Sequence, residues 1–223
     1  MPQHTGSVAG RPLRDVPATV LTDPDWLRED VRLAARMYGR ADDRVLGTVR
    51  WYSASSVLVA PALESLVLAG TALHPGLERT TFHLHPDGRF GGASATGVLG
   101  ADLTELGAAL AGTIEPVVRA IAALTGAATP ALWAIAADSI GNRLLWAGGA
   151  AGDPELGTRF AAPLASAIGH RIPSPRYLEV GGSRVLRRSS CCLIYEATGG
   201  EKCTSCPRQR PAERARRLHE LLG

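Results

Sequence analysis

Residues 176–200 read RYLEVGGSRVLRRSSCCLIYEATGG, and this stretch decides the fold class. Tyr177–Val180 and Arg184–Arg188 are short β-prone runs on either side of Gly181-Gly182. A two-residue glycine loop suits a tight hairpin, because glycine accepts the positive φ that such turns need. The following run, Cys192–Ala197, predicts a third strand ending at Thr198-Gly199-Gly200. The same change of period occurs upstream. Thr81, His83 and His85 alternate with Phe82 and Leu84, then come the turn Pro86-Asp87-Gly88 and a return run at Arg89-Phe90.

The rest of the chain has helical spacing. Asp23-Pro24 opens a helix with Leu27, Val31, Ala34 and Tyr38 on one face and a stop at Gly39. A second helix starts near Asp43 and is broken at Pro61 before a short segment to Gly70; Trp51 and Tyr52 are expected in the core. Asp102-Leu-Thr-Glu105 is a capping-box-like start, and Pro116 is expected to kink or restart the helix. Thr129-Pro130 and Asp153-Pro154 open two more, the second reaching Gly169, and Pro211 opens a closing helix. Helices interspersed with hairpins, without regular strand–helix alternation, predict an α+β fold. It is expected to be mostly helical, with a small antiparallel sheet built from hairpins and a C-terminal cysteine-rich segment. Residues 1–20 read as a flexible arm, 21–175 as scaffold and substrate surface, and 176–223 as hairpin, cysteine segment and last helix, all in one compact domain.

Composition excludes several classes. With 45% hydrophobic and 20% charged residues and only four cysteines in 223, the chain is neither disordered nor a disulfide scaffold. Residues 1–200 carry 18 arginines against 18 acidic groups, so the net charge of +3 lies in residues 201–223, with six basic and three acidic groups. No apolar stretch of signal-peptide length opens the sequence, and the uncharged window 120–137 is interrupted by Thr, Gly and Pro. The expectation is a cytoplasmic protein without membrane insertion.

All four cysteines fall near the end, as C-C-x10-C-x2-C: Cys191, Cys192, Cys203 and Cys206. In a reducing cytosol such a cluster points to metal or redox chemistry. Cys203 and Cys206, three apart, can turn both thiolates to one ion. Adjacent cysteines on an extended chain point to opposite faces, so Cys191 and Cys192 share a site only if the backbone bends or the site is wide. A two-iron cluster is wide, and each iron takes two of four thiolates. Structural zinc, which usually takes two C-x2-4-C knuckles, and a redox dithiol at Cys203–Cys206 are the alternatives. Ligand spacing favours the cluster and leaves open which pair holds which iron.

The stretch Arg188-Ser-Ser-Cys-Cys-Leu-Ile-Tyr195, with Gly199-Gly200 and Cys203-Thr-Ser-Cys206-Pro207, resembles the C-terminal signature of the FhuF-like ferric siderophore reductases. The resemblance implies a [2Fe-2S] cluster held by Cys191, Cys192, Cys203 and Cys206. It also implies one-electron reduction, in the cytoplasm, of Fe(III) in a siderophore, usually a hydroxamate. The competing reading is a zinc- or cluster-binding regulatory or electron-carrier protein that senses iron or redox state.

Arg187, Arg188 and Lys202 flank the cysteines and are candidates for holding an anionic siderophore, offsetting an anionic cluster or attracting an acidic donor; a solvated basic face is the plain alternative. The Gly199-Gly200 N–H groups are candidate donors to cluster sulfur, or simply a turn. His83 and His85 share a strand face and lack a third ligand for a metal. There is neither a G-x-G-x-x-G nor a G-x4-G-K-[ST] motif, so the electron is expected from a partner such as a ferredoxin or flavoprotein reductase. A basic last helix without aromatic interleaving gives no reason to expect nucleic acid.

Overall fold

Three aspartates start helices by accepting N–H groups that the helix leaves unpaired. Asp23 accepts from Asp25 and Trp26 at 2.8 and 3.3 Å, Asp102 from Thr104 and Glu105 at 2.7 and 3.3 Å, and Asp153 from Glu155 at 2.8 Å. A computed structural model describes residues 13–223. Strand β1 (Arg14–Pro17) leads through a 3-10 turn into helices α1 (Pro24–Tyr38), α2 (Asp43–Leu58) and α3 (Ala60–Ala69). Strands β2 (Ala72–Leu73), β3 (Thr80–Leu84), β4 (Phe90–Ala95) and β5 (Val98–Gly100) precede the long helices α4 (Leu103–Thr125) and α5 (Thr129–Ala150). Two short helices, α6 (Pro154–Thr158) and α7 (Ala161–Ile168), are followed by the hairpin β6 (Arg176–Val180) and β7 (Ser183–Arg187), then α8 (Ile194–Thr198) and α9 (Pro211–Leu222).

The class is α+β and mostly helical. The strands form three small antiparallel sheets, β1-β3-β4, β2-β5 and β6-β7. Both expected hairpins are present, and in the second Val180 pairs with Ser183 across the two glycines. The core lies between α2, α4 and α5, where Leu58, Leu106, Leu110, Ile114, Leu132, Ile135, Ile140 and Leu144 are fully buried. Trp51 donates its indole N–H to the Leu132 carbonyl at 2.8 Å. The helical stretches Asp43–Ala69 and Leu103–Thr125 are long and apolar enough to cross a membrane, and here their apolar faces fill this core.

Four local expectations are corrected. Residues 14–20 are not part of a loose arm, because β1 pairs with β3 from Arg14–Leu84 to Pro17–Thr81 and the 3-10 turn that follows buries Ala18 and Leu21; residues 1–12 lie outside the described part. Pro116 does not restart a helix but sits inside a continuous α4, whose two halves bury Leu106, Leu110, Ile114, Val117 and Ile121 in one core. Burial of that shared face outweighs the hydrogen bond the proline lacks. The stretch from Asp153 to Gly169 divides into α6 and α7. Residues 194–198 form a helix, α8, where a strand was expected.

An ion pair between α1 and α2 is buried beside the site. Arg50 Nε and Nη2 donate to Asp30 at 2.9 and 2.7 Å, Nη2 also donates to the Gly88 carbonyl at 2.8 Å, and the guanidinium lies over Phe90. Removing one member of such a pair strands the other charge. Arg50→Met is therefore expected to lower stability by about 3–5 kcal/mol, read from the urea midpoint of the full chain.

Candidate metal centre

Helix α5 sets the position of the cysteine segment through Asp138, which is 1% exposed. Its carboxylate accepts the backbone N–H groups of Ser189 at 2.7 Å and Ser190 at 3.1 Å, the two residues before Cys191. The hairpin that delivers them rests on the same helix, since Tyr177 donates its hydroxyl proton to the Gly141 carbonyl at 2.9 Å. The contact at Gly141 is close: a Cβ there would lie 2.7 Å from Leu186 Cδ1 and 2.9 Å from Pro175 Cβ.

The backbone bend that two adjacent cysteines require is at Leu193. Its φ is +61°, the only positive value at a non-glycine among the described residues, a conformation costing about 1–2 kcal/mol. The bend turns the Leu193 N–H toward Cys191 Sγ at 3.5 Å, while the Ile194 N–H bonds Cys192. It also starts α8, with the Glu196 N–H on the Leu193 carbonyl at 2.9 Å. Gly39, at the end of α1, lets the helices meet: its φ is +104°, and a Cβ there would lie 2.7 Å from the Ala197 carbonyl oxygen. Cys191, Cys206, Leu193 and Ala197 pack with Val31, Ala34, Val45, Leu46 and Val49 of α1 and α2 in a small apolar cluster.

The second cysteine pair sits on a turn closed by the Cys206 N–H and the Cys203 carbonyl at 2.9 Å. Gln209 donates to the carbonyls of Cys203 and Thr204, and Arg217 of α9 donates to the Lys202 carbonyl at 3.0 Å, so the last helix holds the turn from behind. The four thiols come together across the two turns. Cys191 and Cys206 Sγ are 3.5 Å apart, and the Cys191 thiol also donates to Cys192. Cys191, Cys192 and Cys206 are buried and Cys203 is exposed.

One cation stands among the thiols. Arg188 is buried, donates through Nη1 to Cys203 Sγ at 3.6 Å and to Cys192 Sγ at 3.8 Å, and places Nε 3.5 Å from Asp138. Its guanidinium lies 4.7 Å from the centre of the Tyr52 ring. Its Nε and Nη2 have no hydrogen-bond partner among the described residues. The bond from Cys191 holds the Cys192 thiol below the usual thiol range, against the effect of burial and with help from Arg188. The same bond, with burial, pushes Cys191 up. Burial raises Cys203 and Asp138, and Arg188 works against both shifts.

Of the expected substrate-facing cations, Arg187 is exposed on β7, and Lys202 lies over the Tyr195 ring with Nζ 3.3 Å from the Arg208 carbonyl. Arg188 is corrected: it faces the sulfurs from inside the fold, out of reach of a bulky ligand. Gly199-Gly200 is a turn, with the Gly200 N–H on Thr198 Oγ1 at 3.2 Å; the N–H donors to sulfur are Leu193 and Ile194. His83 is bonded to Asp15 and Ser94. Asp138 and Tyr52 were missed as site residues. Asp138 carried a signal, as the only charged residue between Arg119 and Arg143.

Residues 188–208 match the family model of the FhuF 2Fe-2S C-terminal domain. The cysteine segment is FhuF-like. No curated protein matches the chain. The cofactor of this FhuF-like segment is a [2Fe-2S] cluster, which makes the chain an iron–sulfur redox protein. The residues present fit that group. Two thiolates on one tetrahedral ion lie about 3.8 Å apart at a metal–sulfur length of about 2.3 Å, close to the Cys191–Cys206 separation of 3.5 Å. The unpartnered Nη2 of Arg188 offers a buried donor to an anionic group between the thiols.

Removing the Asp138 carboxylate strands two N–H groups and a buried guanidinium together. Asp138→Ala is expected to lower the stability of the full chain by about 3–5 kcal/mol in urea unfolding. A loss below about 1 kcal/mol, the net worth of one ordinary hydrogen bond, would show that the carboxylate does not order the segment.

Proposed function

We propose that this protein is a cytoplasmic ferric-siderophore reductase that passes one electron to Fe(III) held by a hydroxamate-type siderophore and releases Fe(II). Cys191, Cys192, Cys203 and Cys206 are the ligands of its cluster, with Cys191 and Cys206 on one iron and Cys192 and Cys203 on the other. When bound, a [2Fe-2S] cluster gives and takes single electrons, at about −400 mV in plant-type all-cysteine examples. The substrate iron is a hard cation that oxygen ligands hold tightly as Fe(III) and far less tightly as Fe(II), so one electron suffices to loosen it.

The observation that carries this reading is the unequal burial of the thiols. Three cysteines are enclosed and Cys203 is exposed, which gives the centre one side at which a chelate too large to enter the fold can approach. Leu193 and Ile194 direct N–H groups at Cys191 and Cys192 on the enclosed side. Lys202, one residue from exposed Cys203, and exposed Arg187 on β7 provide positive charge for an anionic chelate or for an acidic electron donor, a ferredoxin or flavoprotein reductase.

The test mixes anaerobically purified, dithionite-reduced protein with ferrioxamine and an Fe(II) chelator. The expected result is reoxidation of the cluster with one Fe(II) chelate formed per electron lost. A cluster that stays reduced across several ferric siderophores would favour a regulator or electron carrier. Cys203→Ser is expected to abolish the visible absorption of the cluster and its acid-labile sulfide. Wild-type iron and sulfide content in that variant would remove Cys203 from the ligand set.

A further inference from the structure

Among the described residues Arg188 is the one charged side chain donating to sulfur from inside the fold, and the hydrogen bonds of the apoprotein leave much of it unused. Nη1 reaches Cys192 and Cys203, while Nε and Nη2 are buried without a hydrogen-bond partner among the described residues. Its surroundings hold it in place. The Tyr52 ring packs 4.7 Å from the guanidinium carbon, Asp138 lies 3.5 Å from Nε, and Asp138 is itself fixed by the N–H groups of Ser189 and Ser190. The guanidinium therefore cannot swing to solvent without giving up its contacts with both Tyr52 and Asp138. It also stays protonated, because no pH at which the protein is folded removes a proton from arginine.

We propose that Arg188 sets the reduction potential of the cluster, as a fixed cation and N–H donor to the Cys192 and Cys203 sulfurs, and that Asp138 tempers this effect as a positioning counter-charge. The proposal rests on the ligation proposed above. Reduction adds one electron to the centre and moves no proton at Arg188, so the site becomes more negative by one charge while the guanidinium keeps its own. A cation fixed in a poorly screened interior stabilises the more negative state, and N–H groups directed at sulfur act in the same direction. Both raise the potential. Asp138, close to Nε, cancels part of the positive field, so the two residues push the potential in opposite directions.

That opposition gives a test a structural role would not reproduce. The full-length chain is purified under argon as wild type, Arg188→Met, Arg188→Lys and Asp138→Asn, and each midpoint potential is read from a spectroelectrochemical titration without any siderophore. Arg188→Met is expected to lower the reduction equilibrium constant at least tenfold, about 59 mV for one electron. Arg188→Lys should recover part of the shift, and Asp138→Asn should shift the potential upward. An unchanged potential in Arg188→Met overturns the proposal. If that variant holds no cluster, Asp138→Asn decides: a rise supports the proposal, and no change or a fall overturns it. Loss of the cluster from all three variants, with the fold intact by circular dichroism, also overturns it, since Arg188 would then only build the site. Iron and sulfide content of the wild type test the ligation separately, and siderophore turnover tests the substrate, so failure of either is distinguishable from failure of this inference.

Discussion

A carboxylate in the middle of an apolar helix has to be paid for by its neighbours, and here Asp138 obtains compensation from the segment that carries the cysteines. Burial disfavours its charged form, while the N–H groups of Ser189 and Ser190 and the guanidinium of Arg188 favour it. The exchange works in both directions. Arg188 is equally buried, and burial alone would disfavour its charge, yet Asp138 and the nearby thiols more than offset that effect. Neither member is stable alone in this interior, so the pair forces helix α5, the end of β7 and the first two cysteines into one fixed arrangement.

The enclosed side of the site is built by shape as much as by charge. Cys191 and Cys206 are part of an apolar cluster with residues of α1 and α2, and these helices are joined nearby by the buried Asp30–Arg50 pair. Gly39 lets the end of α1 approach the Ala197 carbonyl, which α8 presents only because Leu193 takes a left-handed conformation. The strain at Leu193 is offset locally: the bend gives Cys191 a backbone N–H and buries the leucine side chain. The Cys203–Cys206 turn, tied to α9 by Gln209 and Arg217, completes the site from the solvent side. Packing thus dictates which thiol is exposed.

Local signals were legible in the sequence. Asp-Pro pairs mark helix starts because the cap and the fixed φ act within one turn, and Gly181-Gly182 marks a hairpin because the turn demands positive φ. The family signature around the cysteines pointed to the cofactor for the same reason, since it too lies within one short segment. Long-range effects were not legible. Cys192–Ala197 alternates like a strand, and becomes α8 because Leu193 bends and Gly39 admits the helix. Pro116 reads as a break, but both halves of α4 face one core. Arg14–Pro17 has no partner until β3 is folded beside it. The partnership of Asp138 with Ser189 spans 51 positions, and only the isolation of that charge in an uncharged run hinted at it.

The cationic side chains around the cysteine segment fall into two physically distinct groups. Much of the surface share is engaged locally: Arg208 pairs with Glu196, Arg216 with Glu213 and Glu220, and Arg217 with Glu201. Such exposed pairs contribute little to stability and are screened within about 8 Å at physiological salt. Their influence, with that of exposed Arg187, falls on encounter with charged partners and declines as salt rises. Arg188 lies outside that screening. Its charge is held among sulfurs, a carboxylate and an aromatic ring, where water does not weaken it, so it acts on the energy of the centre and not on its approach. Two arginines adjacent in sequence, Arg187 and Arg188, therefore do different work: Arg187 closes β7 exposed to solvent, while Arg188, the next residue, turns inward to the thiols.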